Sequence, residues 1–153
     1  MTDLAAPPST DDGDADDGVW SEVIGQERAI AELRGAVAAP VHAYLFVGPR
    51  GSGKRQLAAA FAAELLSSES TGAARARHLE LALAEEHPDL VVVEREGASI
   101  SAEQADFIID RASRSPVEGA RKVLVLDEFH LVTERVGQKL LKTIEEPRAG
   151  TFF

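Results

Sequence analysis

A short glycine-rich segment, GPRGSGK at positions 48–54, constrains the fold of this chain more than any other feature. The apolar run Tyr44–Val47 precedes it, and an alanine-rich stretch with helical spacing follows it. A strand, a glycine loop and a helix in this order are typical of a phosphate-binding loop, whose backbone wraps closely around phosphates at the start of the helix. Lys54 adds a compact positive charge. The segment therefore predicts an α/β domain with a phosphate site made of Gly48, Gly51, Ser52, Gly53 and Lys54.

The residue after the lysine departs from the usual pattern. Loops of the form G-x-x-x-x-G-K-[ST] place a hydroxyl there, which ligates the Mg²⁺ that accompanies a nucleoside triphosphate, whereas this chain has Arg55. A guanidinium is always protonated and offers no lone pair to a metal, although it can contact a phosphate as a charge. The sequence thus argues against a complete Mg²⁺ site, and it leaves open whether the loop binds ATP weakly or not at all.

A second candidate site follows the apolar run Lys122–Leu126. That run ends in Asp127 and Glu128, two carboxylates at the carboxyl end of a predicted strand. Beside a phosphate loop, the first carboxylate of such a pair holds Mg²⁺ and the second orients the attacking water. Asp127 is therefore the candidate metal ligand, and Asp127 and Glu128 are the candidate catalytic residues, on the condition that the chain hydrolyses ATP.

Hydrophobic spacing and helix-breaking residues outline the order of elements. Short apolar runs predict strands at positions 42–47, 90–93 and 122–126, and positions 151–153 read as the start of another. Helical spacing predicts helices after Gly25, from Lys54 to about Ser67, over 75–86, after a capping box of Ser101 and Gln104, and over 133–145. Strands that alternate with helices favour an α/β fold with a largely parallel sheet, which binds ligands at the carboxyl ends of its strands.

Composition limits the remaining classes of function. Residues 1–18 contain six aspartates and no lysine or arginine, and we expect them to form a disordered acidic tail before a domain that spans residues 19–153. The remaining 20 acidic and 16 basic side chains give a formal charge of −4, which argues against a free-standing nucleic-acid binder. The chain has no cysteine, no apolar run of about 18 residues and no secretory signal, so the sequence predicts a cytoplasmic protein without a membrane span.

Four segments together resemble one known family. They are VIGQ at 23–26, HAYLF at 42–46, the Asp127-Glu128 pair, and LLKTIEEP at 140–147. Residues 20–153 are similar to the bacterial clamp loader of DNA polymerase III, and the last segment is much more specific than a phosphate loop alone. The resemblance implies a three-layer, RecA-like AAA+ domain of which the sequence covers only part, without the last strands, the helical lid and the collar domain.

The same resemblance implies ligands and partners. It implies adenine near Val23, Ile24 and Gly25, phosphates on Gly51 to Lys54, and assembly with other clamp-loader subunits, a sliding clamp and primed DNA. It implies no zinc here, because positions 67–87 lack the four cysteines that often bind zinc in the family. Lys139 and Lys142 are candidate DNA-facing residues on the last predicted helix, although solvated helix positions explain both lysines equally well.

Two subunit types stay open within the family. GPRG at 48–51 is similar to the ATP-hydrolysing gamma/tau subunit, which normally continues with G-K-T. SISAEQ at 99–104 and SPVEGARKV at 115–123 are more similar to the delta-prime subunit, which frequently has a degenerate nucleotide site and acts as a stator beside a motor subunit. Arg55 and these two segments favour a delta-prime-like role in clamp loading, and a gamma/tau-like ATPase is the alternative.

Overall fold

The computed structural model describes residues 18–153 of the chain. The expected acidic tail lies outside the described residues apart from Gly18, so that expectation stays a prediction. Val19 and Trp20 are buried in one cluster with Leu33 and Leu57, and the Arg34 guanidinium lies 5.9 Å from the centre of the Trp20 ring. The packed part of the described chain therefore includes its first residues.

Five α-helices occur among the described residues, and one short 3-10 turn spans Phe129–Leu131. The α-helices are α1 (Glu27–Ala36), α2 (Lys54–Ser67), α3 (Gly72–Leu83), α4 (Ala102–Ser113) and α5 (Glu134–Glu145). The predicted capping box of α4 is confirmed, since Ser101 Oγ accepts from Gln104 N and Gln104 Oε1 accepts from Ser101 N, both at 3.1 Å. These reciprocal bonds satisfy two backbone donors at the helix start.

The predicted bounds of α3 were wrong by three residues at each end. The helix begins at Gly72, after an extended Thr71, and it ends at Leu83 because Glu85 takes a φ of 58° that no right-handed helix allows. Sequence periodicity did not reveal this reversal of the chain, since a glutamate is not a typical helix-ending residue. The turn directs the chain into the next strand.

Three parallel strands form the sheet, in the order β1-β2-β3. They span Leu90–Val93, Lys122–Leu126 and Thr151–Phe152, as the apolar runs predict. Leu90 is opposite Val123 and Lys122 is opposite Thr151. Because both pairs are parallel, all three strands run in one direction and their carboxyl ends lie at one edge of the sheet.

Residues 42–47 do not form the predicted strand, although they run alongside β3. Their described backbone ladder consists of two bonds to one residue: Tyr44 N donates to Phe153 O and Phe153 N donates to His42 O, both at 2.9 Å. A strand requires a longer run of such bonds, so the prediction was wrong as to a regular strand. Leu45 and Val47 are 79% and 84% exposed, which also departs from a buried strand.

The core consists of two apolar clusters, one on each face of the sheet. Val123 belongs to the cluster that includes α1, α2 and α3, whereas Leu124 belongs to the cluster that includes α4 and α5. Neighbouring residues of a strand point to opposite faces, so helices cover both sides. The result is the α/β arrangement that the sequence predicts for part of an AAA+ domain. Between residues 18 and 153, no helix is long and apolar enough to cross a bilayer.

Candidate functional site

The glycine loop joins residues 42–47 to α2. Gly51 and Gly53 have φ values of 79° and 81°, which side-chain-bearing residues rarely adopt, so these two glycines allow the loop to turn into the helix. Among residues 18–153, no acceptor faces the backbone N–H groups of Gly53, Lys54 and Arg55. Three donors at a helix N-terminus are thus available to an anion.

Two side chains brace the loop from within. Gln26, at the N-cap of α1, donates from Nε2 to the carbonyl oxygen of Ser52 at 2.9 Å. Lys54 Nζ donates to the carbonyl oxygens of Gly48 at 2.8 Å and Pro49 at 2.7 Å. The lysine ammonium is therefore bonded to the loop's own backbone, and a phosphate must compete with these carbonyls for it.

Arg55 lies at the centre of a cluster of carboxylates. Its guanidinium contacts Glu85 Oε1 at 2.7 Å, Glu94 Oε1 at 2.9 Å and Asp127 Oδ2 at 3.3 Å. Burial opposes the charge on Arg55, but the hydrogen bonds to Glu85 and Glu94 outweigh it and raise the pKa of the guanidinium above its ordinary value. The arginine is thus a fixed positive charge between α2, the turn after α3 and the ends of two strands.

Glu85 holds this arginine with both carboxylate oxygens. Arg55 Nη2 donates to Oε1 at 2.7 Å and to Oε2 at 3.0 Å, and Nε donates to Oε1 at 3.1 Å. A left-handed backbone costs a non-glycine residue on the order of 1 kcal/mol. The multiple charge-assisted hydrogen bonds to Arg55 offset part of this cost.

The strand-end pair Asp127-Glu128 lies at the same edge. The backbone N–H of Glu128, which has a φ of 50°, donates to Asp127 Oδ1 at 2.9 Å. Glu128 Oε2 accepts from Arg95 Nε at 2.6 Å, and this hydrogen bond lowers the pKa of the glutamate. Glu128 is therefore an ionised carboxylate paired with an arginine, so a water molecule must compete with Arg95 for its oxygens.

A cavity of about 370 Å³ opens beside these residues and is lined by Glu94, Arg95, Gly97, Asp127 and Glu128. Oxygen atoms suitable for Mg²⁺ are present, but the guanidinium of Arg55 already contacts Glu94 and Asp127. The residues therefore do not fit a bound Mg²⁺, because a divalent cation would have to displace a fixed positive charge. The backbone donors of the glycine loop do fit a phosphate.

The structure brings most of the predicted site residues to one edge of the sheet and leaves others apart. Gly25 has a φ of 73° just before α1, and the neighbouring Ile24 is 87% exposed. Lys139 and Lys142 lie on α5, where Lys139 Nζ pairs with Asp106 at 2.6 Å. The phosphate loop, Arg55, Asp127 and Glu128 thus form the site, while the two lysines lie on another element.

Sequence reasoning missed the partners that neutralise this site. Glu85, Glu94 and Arg95 were not singled out, because no motif marks them and their contacts cross between 30 and 39 residues of sequence. A glutamate or arginine in such a position usually indicates a solvated surface. The signal that was present is the replacement of a hydroxyl by Arg55, since a partly buried arginine requires acidic partners.

Two histidines that no sequence motif connects also meet in the structure. His78 Nδ1 lies 2.7 Å from His87 Nε2, and both side chains are buried. The contact depends on the turn after α3, which the helical periodicity did not predict.

The fold and the site together define a class. A glycine loop at a helix start lies beside an Asp-Glu pair at the carboxyl end of a parallel strand, and helices cover both faces of the sheet. These are the features of an AAA+ type α/β domain. The model of the family described as "DNA polymerase III, delta subunit" matches residues 25–153, so the chain belongs to this family.

Individual relatives include both subunit types. The chain is 37% identical over 140 residues to DNA polymerase III subunit gamma/tau of Mycobacterium bovis, covering 88% of this chain and 24% of the relative. It is 32% identical over 136 residues to subunit delta' of Pseudomonas aeruginosa, covering 86% of this chain and 42% of the relative. For subunit delta' of Bacillus subtilis the identity is 30% over 112 residues, with 72% and 34% covered. The chain thus spans less than half the length of these relatives.

Proposed function

We propose that this chain carries the AAA+ domain of a delta-prime-like clamp-loader subunit, which helps an assembly of subunits load the sliding clamp onto primed DNA. In this proposal its own nucleotide site is degenerate, and the subunit works in the cytoplasm beside hydrolysing partners. The observation that carries the proposal is the position of Arg55, whose Nη1 lies 3.3 Å from Asp127 Oδ2. A P-loop ATPase uses that aspartate for Mg²⁺.

Charge repulsion supports the loss of the metal. A divalent ion about 4 Å from a guanidinium meets a repulsion on the order of several kcal/mol at the effective dielectric constant of a protein surface, before solvent screening. The Arg55 side chain is 30% exposed, so screening reduces this value. The repulsion nevertheless opposes any Mg²⁺ that enters while Arg55 keeps its partners.

The surroundings of Arg55 also weaken the attraction for a triphosphate. Three carboxylates, from Glu85, Glu94 and Asp127, contact this one guanidinium. Their net negative charge repels an anionic ligand, and Lys54 is bonded to loop carbonyls. We therefore expect weak nucleotide binding that Mg²⁺ does not strengthen.

A gamma/tau-like motor subunit is the second candidate function. Two observations favour it: Lys54, Asp127 and Glu128 are all present at the site, and the gamma/tau relative of Mycobacterium bovis shares 37% identity with this chain. In that case Arg55 must leave Asp127 when nucleotide and Mg²⁺ arrive. The two candidates therefore differ in whether Mg²⁺ strengthens binding and supports turnover.

Equilibrium titration with a fluorescent ATP analogue, with and without Mg²⁺, tests the proposal. We expect the unmodified chain to bind weakly, with the same affinity under both conditions. Arg55→Thr should bind more tightly and only with Mg²⁺, because it restores the hydroxyl and vacates the Asp127 side chain. Lys54→Ala should abolish whatever binding remains.

A matched control separates this effect from a general loss of positive charge. Arg28→Thr removes an exposed arginine that pairs only with Glu32 in the described chain, and we expect no change in binding. Because Arg55→Thr leaves three carboxylates facing one another, the pair Arg55→Thr with Glu85→Gln provides a second, less repulsive background. Mg²⁺-dependent binding and ATP turnover by the unmodified chain would refute the delta-prime-like proposal and favour the motor.

The contact with DNA is assigned to α5 in this proposal. Lys139 is neutralised by Asp106, whereas Lys142 is exposed and has no ion-pair partner among residues 18–153. We therefore expect Lys142→Glu to weaken DNA binding by the assembled loader more than Lys139→Glu does. The binding affinity of Lys142→Glu should also depend less on salt concentration than that of the unmodified loader. Binding by both variants that is unchanged from the unmodified loader across a salt series would retire α5 as a DNA-facing helix.

A further inference from the structure

Two buried histidines form a hydrogen-bonded pair at the edge of the sheet opposite the phosphate loop. His78, on α3, and His87, just before β1, lie with Nδ1 and Nε2 respectively 2.7 Å apart, and the side chains are 8% and 3% exposed. Glu118 lies within reach of both rings, and Arg77 pairs with it at 2.6 Å. The proposed role of the phosphate loop does not involve these two histidines, Glu118 or Arg77.

The backbone fixes which nitrogen of each ring carries the proton. Asp89 N–H donates to His87 Nδ1 at 3.0 Å, so this nitrogen is unprotonated and Nε2 of the same ring carries the hydrogen. That hydrogen points at His78 Nδ1, which must accept it. The His87 ring is therefore neutral in this arrangement, and an additional proton on its Nδ1 breaks the hydrogen bond from Asp89 N–H.

This polarity argues against a metal ion in the same place, although His78, His87 and Glu118 hold three potential ligand atoms within 4.8 Å of one another. A ligating Nε2 of His87 would require the proton on Nδ1, which faces the Asp89 N–H donor. Glu118 is also held by Arg77 through both carboxylate oxygens. The observations thus favour a proton-sensitive contact over a metal site.

We infer that the His78–His87 hydrogen bond is an acid-sensitive contact that holds the loop at residues 84–89 in place, and that the loop opens when His87 takes up a proton. The charged groups that face the pair are Arg77, Asp89 and Glu118. Arg77 opposes a proton and the two carboxylates favour it, but Asp89 already accepts from the backbone of residues 117–119 and Glu118 is paired with Arg77. Burial, followed by the neighbouring His78, lowers the pKa of His87 below its ordinary value.

The loop that this histidine pair holds in place also contacts α2, the helix that follows the phosphate loop. Glu85, two residues before His87, is the residue that holds Arg55 with both carboxylate oxygens. Opening of the loop therefore removes a partner of Arg55 from a distance, without any change in the phosphate loop itself. This coupling depends only on the contacts of Glu85 and is independent of the proposed subunit type.

Amide hydrogen exchange of the purified chain between pH 7.5 and pH 5.5, corrected for intrinsic exchange rates, measures the opening. We expect amides of residues 85–90 to be less protected than those of β2 at every pH, because they open separately. Below about pH 6.5, the ordinary histidine value, each unit of pH should make this opening about tenfold more frequent, since the open loop binds one more proton. A pH-independent protection, or protection equal to that of β2, would overturn the inference.

A histidine variant makes the test specific. His87→Asn keeps an oxygen that can accept from Asp89 N–H but cannot be protonated, so its residues 85–90 should show no acid dependence, whereas His42→Asn at an exposed site should keep it. If His87→Asn does not fold, the ring-nitrogen NMR spectrum of the unmodified chain decides, because we expect a proton on His87 Nε2 alone at neutral pH. A proton on Nδ1, or a stoichiometric Zn²⁺ that raises the melting temperature, would contradict the assignment.

Discussion

Asp89→Asn is the most informative change to the scaffold. Asp89 is fully buried, and its carboxylate accepts three backbone N–H groups, from Val117 at 2.5 Å, Glu118 at 2.8 Å and Gly119 at 3.3 Å. These bonds hold the loop before β2 against the start of β1. An asparagine has nearly the same shape, so the substitution changes hydrogen bonding and charge without leaving a cavity.

The expected loss follows from the number of bonds that the amide cannot make. The asparagine oxygen can keep the bond to Val117, but its NH₂ group then faces the N–H groups of Glu118 and Gly119 as a second donor. Hydrogen bonds to charged groups contribute about 1.5–3 kcal/mol each. The bond to Gly119 is long, so we expect a loss of about 2–4 kcal/mol in the free energy of unfolding.

Urea denaturation at neutral pH, followed by circular dichroism, measures this loss. Asp106→Asn is the matched control, because Asp106 makes an exposed ion pair with Lys139 at 2.6 Å and such pairs contribute at most about 1 kcal/mol. For Asp89→Asn we expect an unchanged slope of unfolding free energy against urea concentration and a lower midpoint urea concentration. A loss no larger than that of the control would refute the assignment of Asp89 as a buried anchor of the loop.

Two further changes test the backbone of the fold. Gly150→Ala should cost about 2–4 kcal/mol of unfolding free energy, because Gly150 has a φ of 81° and an added Cβ would lie 2.5 Å from the Ala120 carbonyl oxygen. Gly119→Ala, where the nearest atom is at 3.9 Å, should be nearly neutral in the same denaturation experiment. Ser101→Ala should cost about 1 kcal/mol by removing the α4 cap, and a loss no greater than that of Ser113→Ala, at the other helix end, would contradict this role of the cap.

Local sequence signals predicted much of the fold because local physics determines those elements. The apolar runs of β1 and β2 and the capping box of α4 have short-range causes, so their positions agree with the structure. The segment at 42–47 does not form the strand that its apolar run predicts, because a strand also requires hydrogen bonds along a neighbouring strand. Its described backbone ladder involves Phe153 alone. The early end of α3 was also missed, since the left-handed Glu85 is held by a distant arginine.

The sequence predicts the motifs of the candidate site but not the side chains that neutralise their charges. The sequence identifies the glycine loop, Arg55 and the pair Asp127-Glu128, because each follows an element with a clear pattern. It does not show that Arg55 meets Asp127 across 72 residues or that Arg95 meets Glu128 across 33 residues. Such contacts depend on how the strand ends converge, which spacing along the chain does not specify.

The central claim is that Arg55 holds the position that a metal would take beside Asp127, and Mn²⁺ binding tests it most directly. Electron paramagnetic resonance of Mn²⁺ with ADP measures how much free Mn²⁺ is lost when protein is added. We predict no loss beyond that caused by ADP alone for the unmodified chain, and a stoichiometric loss for Arg55→Thr that Asp127→Asn reverses. Stoichiometric Mn²⁺ binding by the unmodified chain would contradict the claim.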